Sequence, residues 1–249
     1  TLITGASSGI GEEFSRRYAA KKHDLVLVAR RQDALDALAE ELRKEHGVEV
    51  TVIPLDLSEP DATQRLWNET DRRGLHVDVL VNNAGFGTGK DVADDDPERL
   101  EQEVRLNCLA VVGLTARYLP AMRKRGNGTI INISSAAAFQ PMPHMAVYGA
   151  TKAFVLSFTE ALWRETRRDG IRVLAVCPGS TDTPFFEVSD EGTVVGRMRS
   201  TRQVLDTTLR ALRTSRPSVV DGLGNAVVAR FLTRVLPQRA LLAAVDRVF

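Results

Sequence analysis

The chain of 249 residues carries only two cysteines, Cys108 and Cys177, far apart in sequence. A disulfide framework is excluded, and a reducing, cytoplasmic setting is expected. Both cysteines read as buried small hydrophobes rather than nucleophiles. Net charge is equally scarce: 33 basic residues against 32 acidic ones leave +1, so no global field draws the chain to nucleic acid or membrane. There is no secretory leader and no apolar run of about eighteen residues, which disfavours secretion and membrane spanning. Repeats and low-complexity linkers are also missing, so a single domain is expected. The chain opens inside an apolar stretch without Met, and further residues are expected to precede it. With no field to steer it, the partner is expected to be a small molecule in a pocket, and no metal site is expected.

What is present is alternation of strands and helices. Thr1 to Thr4 is a short β-type run, followed by Gly5-Ala6-Ser7-Ser8-Gly9-Ile10-Gly11 and a helical pattern through about Lys22. Strand, glycine loop and helix in that order suit a pyrophosphate. Glycines let the backbone approach it, and the helix N-terminus offers unpaired N–H groups and a positive dipole end. Leu25 to Ala29 is unbroken apolar sequence, as in a strand buried on both faces of a parallel sheet. It ends in Arg30-Arg31, where an acid would bind a ribose 2′-hydroxyl and an arginine accommodates a 2′-phosphate. This favours NADP(H) over NAD(H), although Asp33 lies nearby.

A helix from about Gln32 to His46 sets Leu35, Leu38, Ala39 and Leu42 on one face. Val50 to Leu55 is a third strand, ending at Asp56-Leu57-Ser58. Asp56 either stands where ligands bind in open α/β sheets or caps a helix beginning near Glu59-Pro60, with Ser58 as the other cap. Val77 to Val81 is a fourth strand, leading into Asn82-Asn83-Ala84-Gly85, whose amides can brace neighbouring strands. Asp96 caps a helix starting at Pro97, predicted to run unbroken through Asn107 to about Lys124. Asn107 sits among Leu106, Cys108 and Leu109, so its amide should be buried and in need of partners. Thr129 to Ile133 is a fifth strand ending in Ser134-Ser135, and Ile171 to Val176 a sixth, leading to Pro178-Gly179 and Thr183. Residues 184–202 suit a substrate lid. A helix from about Arg202 to Thr214, a strand at Ser218 to Val220 and an extension over residues 215–249 complete the chain.

Between the fifth and sixth strands a helix from Val147 to about Arg168 carries Tyr148 and Lys152, which share one face. At about 4 Å and an effective dielectric near 20, an ammonium is worth roughly 4 kcal/mol to a phenolate. At about 1.36 kcal/mol per pH unit, that brings a phenol from about 10 toward working pH, where proton transfer is most efficient. Alone the pair is a common exposed helical contact. His144, in the loop before it, is assigned no catalysis.

In order along the chain, Thr4-Gly-x-x-x-Gly9-x-Gly11, Asp56, Asn82-Asn83-Ala84-Gly85, Asn107, Ser135, Tyr148-x-x-x-Lys152 and Pro178-Gly179 resemble the short-chain dehydrogenase/reductase family. The resemblance spans nearly the whole chain. It implies a Rossmann doubly wound sheet of seven parallel strands in the order 3-2-1-4-5-6-7, with helices on both faces. It also implies that Tyr148 is general acid/base, that Ser135 or its neighbour Ser134 orients the carbonyl, that Lys152 lowers the Tyr148 pKa and binds the nicotinamide ribose, and that Asn107 holds a relay water. Asp56 would contact adenine, Asn83 with Ala84 and Gly85 the adenosine side, and Pro178, Gly179 and Thr183 the nicotinamide end. Many NADP-dependent members carry a basic residue in the glycine loop. Here Ser8 precedes Gly9, leaving the phosphate to Arg30 with Arg31 and Ser7.

The expected activity is hydride transfer between NADP(H) and a carbonyl or secondary alcohol, on an apolar or acyl-type substrate. The alternative is a catalytically silent NADP(H)-binding redox sensor, which would have no chemical need for Asn107, Ser135, Tyr148 and Lys152 together. By analogy a homodimer or homotetramer is expected. The stripe from Val227 to Leu236 could cover substrate, pack a subunit interface or lie on a membrane surface.

Overall fold

The computed structural model describes residues 1–185 and 198–247. Seven parallel strands form one sheet: β1 (Leu2–Thr4), β2 (Leu25–Ala29), β3 (Val50–Pro54), β4 (Val79–Asn82), β5 (Gly128–Ile133), β6 (Ile171–Cys177) and β7 (Ser218–Val220). Their order is β3-β2-β1-β4-β5-β6-β7, as expected. Register is set by burial on both faces. Leu2, Val26, Leu80, Ile130 and Val173 point to one core, whereas Ile3, Leu27, Val81, Ile131 and Leu174 point to the other. A slip of one residue would exchange these sets, so each strand reads as a continuous apolar run rather than an alternating one.

Helices complete the two layers. α1 (Gly9–Ala19), α2 (Gln32–His46) and a later helix, Thr201–Ala211, cover one face through Phe14, Leu35, Leu38, Leu42, Val204 and Leu205. α3 (Ala62–Arg72), α4 (Pro97–Val104), α5 (Ala110–Arg125) and α6 (Ala146–Glu165) lie on the other side, where Leu66, Leu114, Tyr118 and Leu162 are buried. The sheet order reverses between β1 and β4, and the crevice beyond the carboxyl ends of these strands is where such folds take ligands.

Some details differ from expectation. The long helix runs from Pro97 to Arg125 as predicted, but it is not α-helical throughout: Arg105–Leu109 form a π-helical turn between α4 and α5. Asn107 lies inside it, fully buried, so the amide is accommodated by widening the helix rather than by capping. The helix after β3 begins at Ala62, not near Glu59, and Asp61 precedes it in the left-handed conformation, φ 56°. Asp56 caps no helix; its Oδ1 accepts from the amide and hydroxyl of Ser58 in a local turn. Of the anticipated lid over 184–202, residues 186–197 lie outside the described residues. Beyond them Arg199 is tied down by a bridge to Thr181 and by its guanidinium on the buried Asp221, 2.5 Å away.

Beyond β7 the described part of the C-terminal extension is mostly helical. Leu223–Val227, a π turn at Val228–Leu232 and Thr233–Val235 are followed by Gln238–Asp246. Its last helix lays Leu241 and Val245 on Met142, Met145 and Tyr148. Among the described residues no helix is long and apolar enough to cross a membrane.

Candidate active site

The crevice is a cavity of about 710 Å³ running from the glycine loop to the C-terminal helices. At one end Gly5, Ser7, Ser8, Gly9 and Ile10 line it. Gly9 has φ 58°, open to glycine at little strain, and a Cβ on Gly11 would sit 2.2 Å from the Gly5 carbonyl. Residues other than glycine would push loop and helix apart there. The loop is fastened to the sheet by Thr4, whose hydroxyl donates to Val81 O and accepts from the amides of Asn83 and Ala84. The Asn83 side chain donates to the carbonyls of Thr4 and Gly5 at 3.0 and 3.3 Å. The first α1 amides thus face the cavity on a rigid mount.

Next along the cavity stand Arg30, Arg31 and Asp56. Arg31 Nη2 reaches Ser7 O and Oγ at 3.2 and 3.3 Å. Arg30 Nη1 lies 3.9 Å from Asp56 Oδ2, and its side chain is 69% exposed. Two cations and a hydroxyl therefore converge where β2 ends, a setting suited to a dianionic phosphate.

At the far end α6 presents Tyr148 and Lys152. Lys152 Nζ lies 5.6 Å from the Tyr148 ring centroid and donates to Ile133 O at 3.1 Å. The lysine is buried, and desolvation lowers its pKa to about 8. Among the described residues no carboxylate touches this ammonium, so its burial is costly, the condition in which functional sites often hold a titratable group. Ser134 and Ser135 separate into two roles. The buried Ser134 hydroxyl donates to Lys152 O at 2.7 Å, holding the helix. Ser135 starts the short helix Ala136–Phe139, its Oγ accepting from the Ala137 amide at 3.1 Å, and it lines the cavity. With that lone pair engaged, its proton is available to an oxygen in the pocket.

Asn107 Nδ2 donates to Phe86 O and Thr151 Oγ1 at 2.8 and 3.1 Å, and its Oδ1 accepts from Phe86 N at 3.2 Å. The π turn thereby locks the loop after β4 to α6. Gly85 is where all this converges, since a Cβ there would sit 2.8 Å from Asn107 Oδ1 and 3.3 Å from Lys152 Nζ. Asn107 is close to the lysine but does not itself line the cavity, whereas Pro178, Gly179 and Thr183 do.

Six further residues line the cavity: Phe86, Met142, Met145 and Asn225, which carried no local signal in the sequence, with Phe185 from the start of the anticipated lid and Val228 from the C-terminal apolar stripe. They come from four separate segments and are apolar except for Asn225. Phe185 tilts against Tyr148, ring centroids 5.4 Å apart. Cys108 and Cys177 are buried, as anticipated, and the Cys108 thiol is pushed up to about 11 by desolvation. No cluster of three or more metal-ligating side chains occurs among the described residues.

A cleft at the switch point of a parallel sheet, with a tyrosine beside a buried lysine at one end and basic side chains at the other, is the architecture of a Rossmann-type oxidoreductase. The sequence profile described as short chain dehydrogenase matches residues 1–193, and the chain belongs to that family. Among its relatives is a very-long-chain 3-oxoacyl-CoA reductase of Anas platyrhynchos. It is 34% identical over 194 residues, 76% of this chain and 61% of that protein. Among solved structures, a short-chain dehydrogenase from Sphingobium yanoikuyae in complex with NADPH superposes with TM-score 0.85 at 34% identity, covering 95% of this chain and 96% of that one. A 7β-hydroxysteroid dehydrogenase superposes with TM-score 0.90 at 26% identity, covering 98% and 95%.

Proposed function

We propose that the protein is an NADP(H)-dependent oxidoreductase that interconverts apolar or acyl-type carbonyl compounds and their secondary alcohols. The observation that carries this reading is the buried Lys152 ammonium beside Tyr148, in a cavity that ends at Arg30 and Arg31. When bound, the nicotinamide cofactor supplies or accepts the hydride at the carbonyl carbon. The glycine loop and α1 N-terminus would hold its pyrophosphate, Arg30, Arg31 and Ser7 its 2′-phosphate, and Asp56 its adenine.

Tyr148 holds the proton destined for the carbonyl oxygen. Its phenolate, formed on reduction and required for oxidation, is favoured by the Lys152 charge. Ser135 donates a hydrogen bond to the same oxygen and sets its approach to Tyr148. Asn107, its side chain engaged by Phe86 and Thr151, would present a relay water to Lys152 through the main chain of its π turn. Met142, Met145, Phe185 and Val228 surround the remainder of the substrate, and their apolar character supports a bulky hydrocarbon body. The steroid dehydrogenase and the acyl-CoA reductase among the similar proteins point the same way. Exposed Val104, Leu109 and Phe154 around α4 to α6 support assembly into a homo-oligomer.

The test is titration of purified protein with NADPH and NADH, then a screen of bulky ketones, aldehydes and 3-oxoacyl thioesters for loss of reduced-nicotinamide absorbance. Tighter binding of NADPH, with its oxidation by a bulky carbonyl, is the expected result. NADPH binding without turnover on any class would refute the reductase and favour the silent sensor.

A further inference from the structure

Helix α4 buries a carboxyl group that the mechanism above does not use. Glu103 is 0% exposed. Its Oε2 accepts from Thr88 Oγ1 at 2.9 Å, whereas Oε1 has no hydrogen-bond partner. No arginine or lysine makes an ion pair with it among the described residues. A buried acid in that condition is expensive to keep, and an apolar residue would fill the site at less cost.

Its surroundings tie it to the catalytic pair. Thr88 follows Gly87, where a Cβ would touch the Tyr148 ring at 2.9 Å. Glu103 precedes by four residues Asn107, which in turn fixes Phe86 and Thr151 around Lys152. The charged and titratable groups that interact with Glu103 are Lys152 from α6, Asp95 from the preceding loop and Cys108 from the π turn. Gly85 brings the two together: a Cβ there would lie 2.8 Å from Asn107 Oδ1, one helical turn from Glu103, and 3.3 Å from Lys152 Nζ. Among the described residues Lys152 is the one cation in this set, and the titratable groups acting on Lys152 are Cys108, Glu103 and Cys177.

We propose that Glu103 is a buried counter-charge for Lys152, a positioning residue that keeps the ammonium protonated to higher pH and so sets the alkaline limit of carbonyl reduction. Burial raises its own pKa to about 7, so the counter-charge is present above neutrality and withdrawn below it. Removing a negative charge from beside an ammonium lets the ammonium lose its proton sooner. The kinetic part of this inference rests on the proposed reductase activity; the effect on Lys152 does not.

Two measurements separate these. In Glu103→Gln, the Lys152 side-chain resonance of 13C-lysine-labelled protein, assigned by its absence in Lys152→Met, titrates lower than in the wild type by about half a pH unit or more. The ratio of kcat/KM for carbonyl reduction at about pH 9 to that at about pH 6 falls roughly threefold or more, the same half unit on a logarithmic scale. Glu103→Met carries both expectations, which guards against a folding defect peculiar to the amide. An unchanged Lys152 titration overturns the proposal whatever the activity. A kcat/KM lowered by the same factor at both pH values also overturns it, because a purely structural glutamate would act that way.

Discussion

Replacing Lys152 with methionine should make the protein more stable while removing its activity. The lysine is 5% exposed, and burial lowers its pKa from the ordinary 10.5 to about 8. A displacement of about 2.5 pH units at about 1.36 kcal/mol each means that keeping the ammonium buried costs about 3 kcal/mol below pH 8. Methionine has a similar length and no charge to desolvate. The substitution also deletes the 3.1 Å hydrogen bond from the ammonium to Ile133 O, worth about 1.5 kcal/mol for a charged donor. The net gain near pH 7 is about 2 kcal/mol, or roughly 4 to 8 °C in Tm for a domain of this size. The folded pKa is depressed, so the folded chain binds fewer protons than the unfolded one between about 8 and 10.5. The cost is full below about 8 and fades as pH rises toward 10.5. Urea unfolding of cofactor-free wild type and variant at neutral and alkaline pH reads this directly. The variant's advantage should be largest at neutral pH and shrink near pH 10. A variant less stable than wild type at neutral pH, or an advantage independent of pH, would refute the argument that the site holds its charge against the fold.

Three further outcomes follow from the geometry. Tyr148→Phe should keep NADPH affinity and lose about 10²- to 10⁴-fold in kcat, measured by steady-state turnover and nucleotide titration. Arg30→Ala and Arg31→Ala should each weaken NADPH at least several-fold while leaving NADH within about twofold, read from paired binding isotherms. His144 Nδ1 lies 2.7 Å from Asp91 and Nε2 3.3 Å from Asp246, and hydrogen bonding to Asp91 raises its pKa. Its hold on the last helix is complete below the ordinary histidine pKa and lost as pH rises through the raised value. Amide exchange over Gln238–Asp246 should therefore accelerate on that rise in the wild type, once corrected for intrinsic rates, but not in Asp246→Asn.

The strands and helices were legible because each strand is buried on both faces and each connecting helix carries its own apolar stripe, as Leu25 to Ala29 and the Leu35, Leu38, Leu42 series show; their order in the sheet came from the family resemblance, since a buried run does not say which strand lies beside it. The ends of secondary elements read less well. The π turn at Arg105–Leu109 could not be seen, because its local sequence is helical and only the bonds of Asn107 to Phe86 and Thr151 widen it. The division between Ser134 and Ser135 depends on the facing of two adjacent extended residues, which spacing alone leaves open. Glu103 went unremarked in the sequence, since nothing in its neighbours along the chain signals that it is buried. Met142, Phe185 and Val228 meet in the cavity from segments tens of residues apart, beyond the reach of local periodicity.

A polar seam runs beneath α6. Asn82 Nδ2 donates to Asn132 Oδ1, and Asn132 Nδ2 to Thr159 Oγ1, each at 2.9 Å, so β4, β5 and α6 are pinned through their interiors. Ser134 adds a second pin at Lys152. Bonds of this kind must be changed in pairs, because one altered partner strands the other. Across the cavity Met142 and Met145 meet Leu241 and Val245 of the C-terminal helix through apolar contact, and these side chains can be exchanged one at a time. Selection can thus redraw what the pocket accepts by single steps while the reacting end stays where it is, so that a new substrate is reached without reinventing the chemistry.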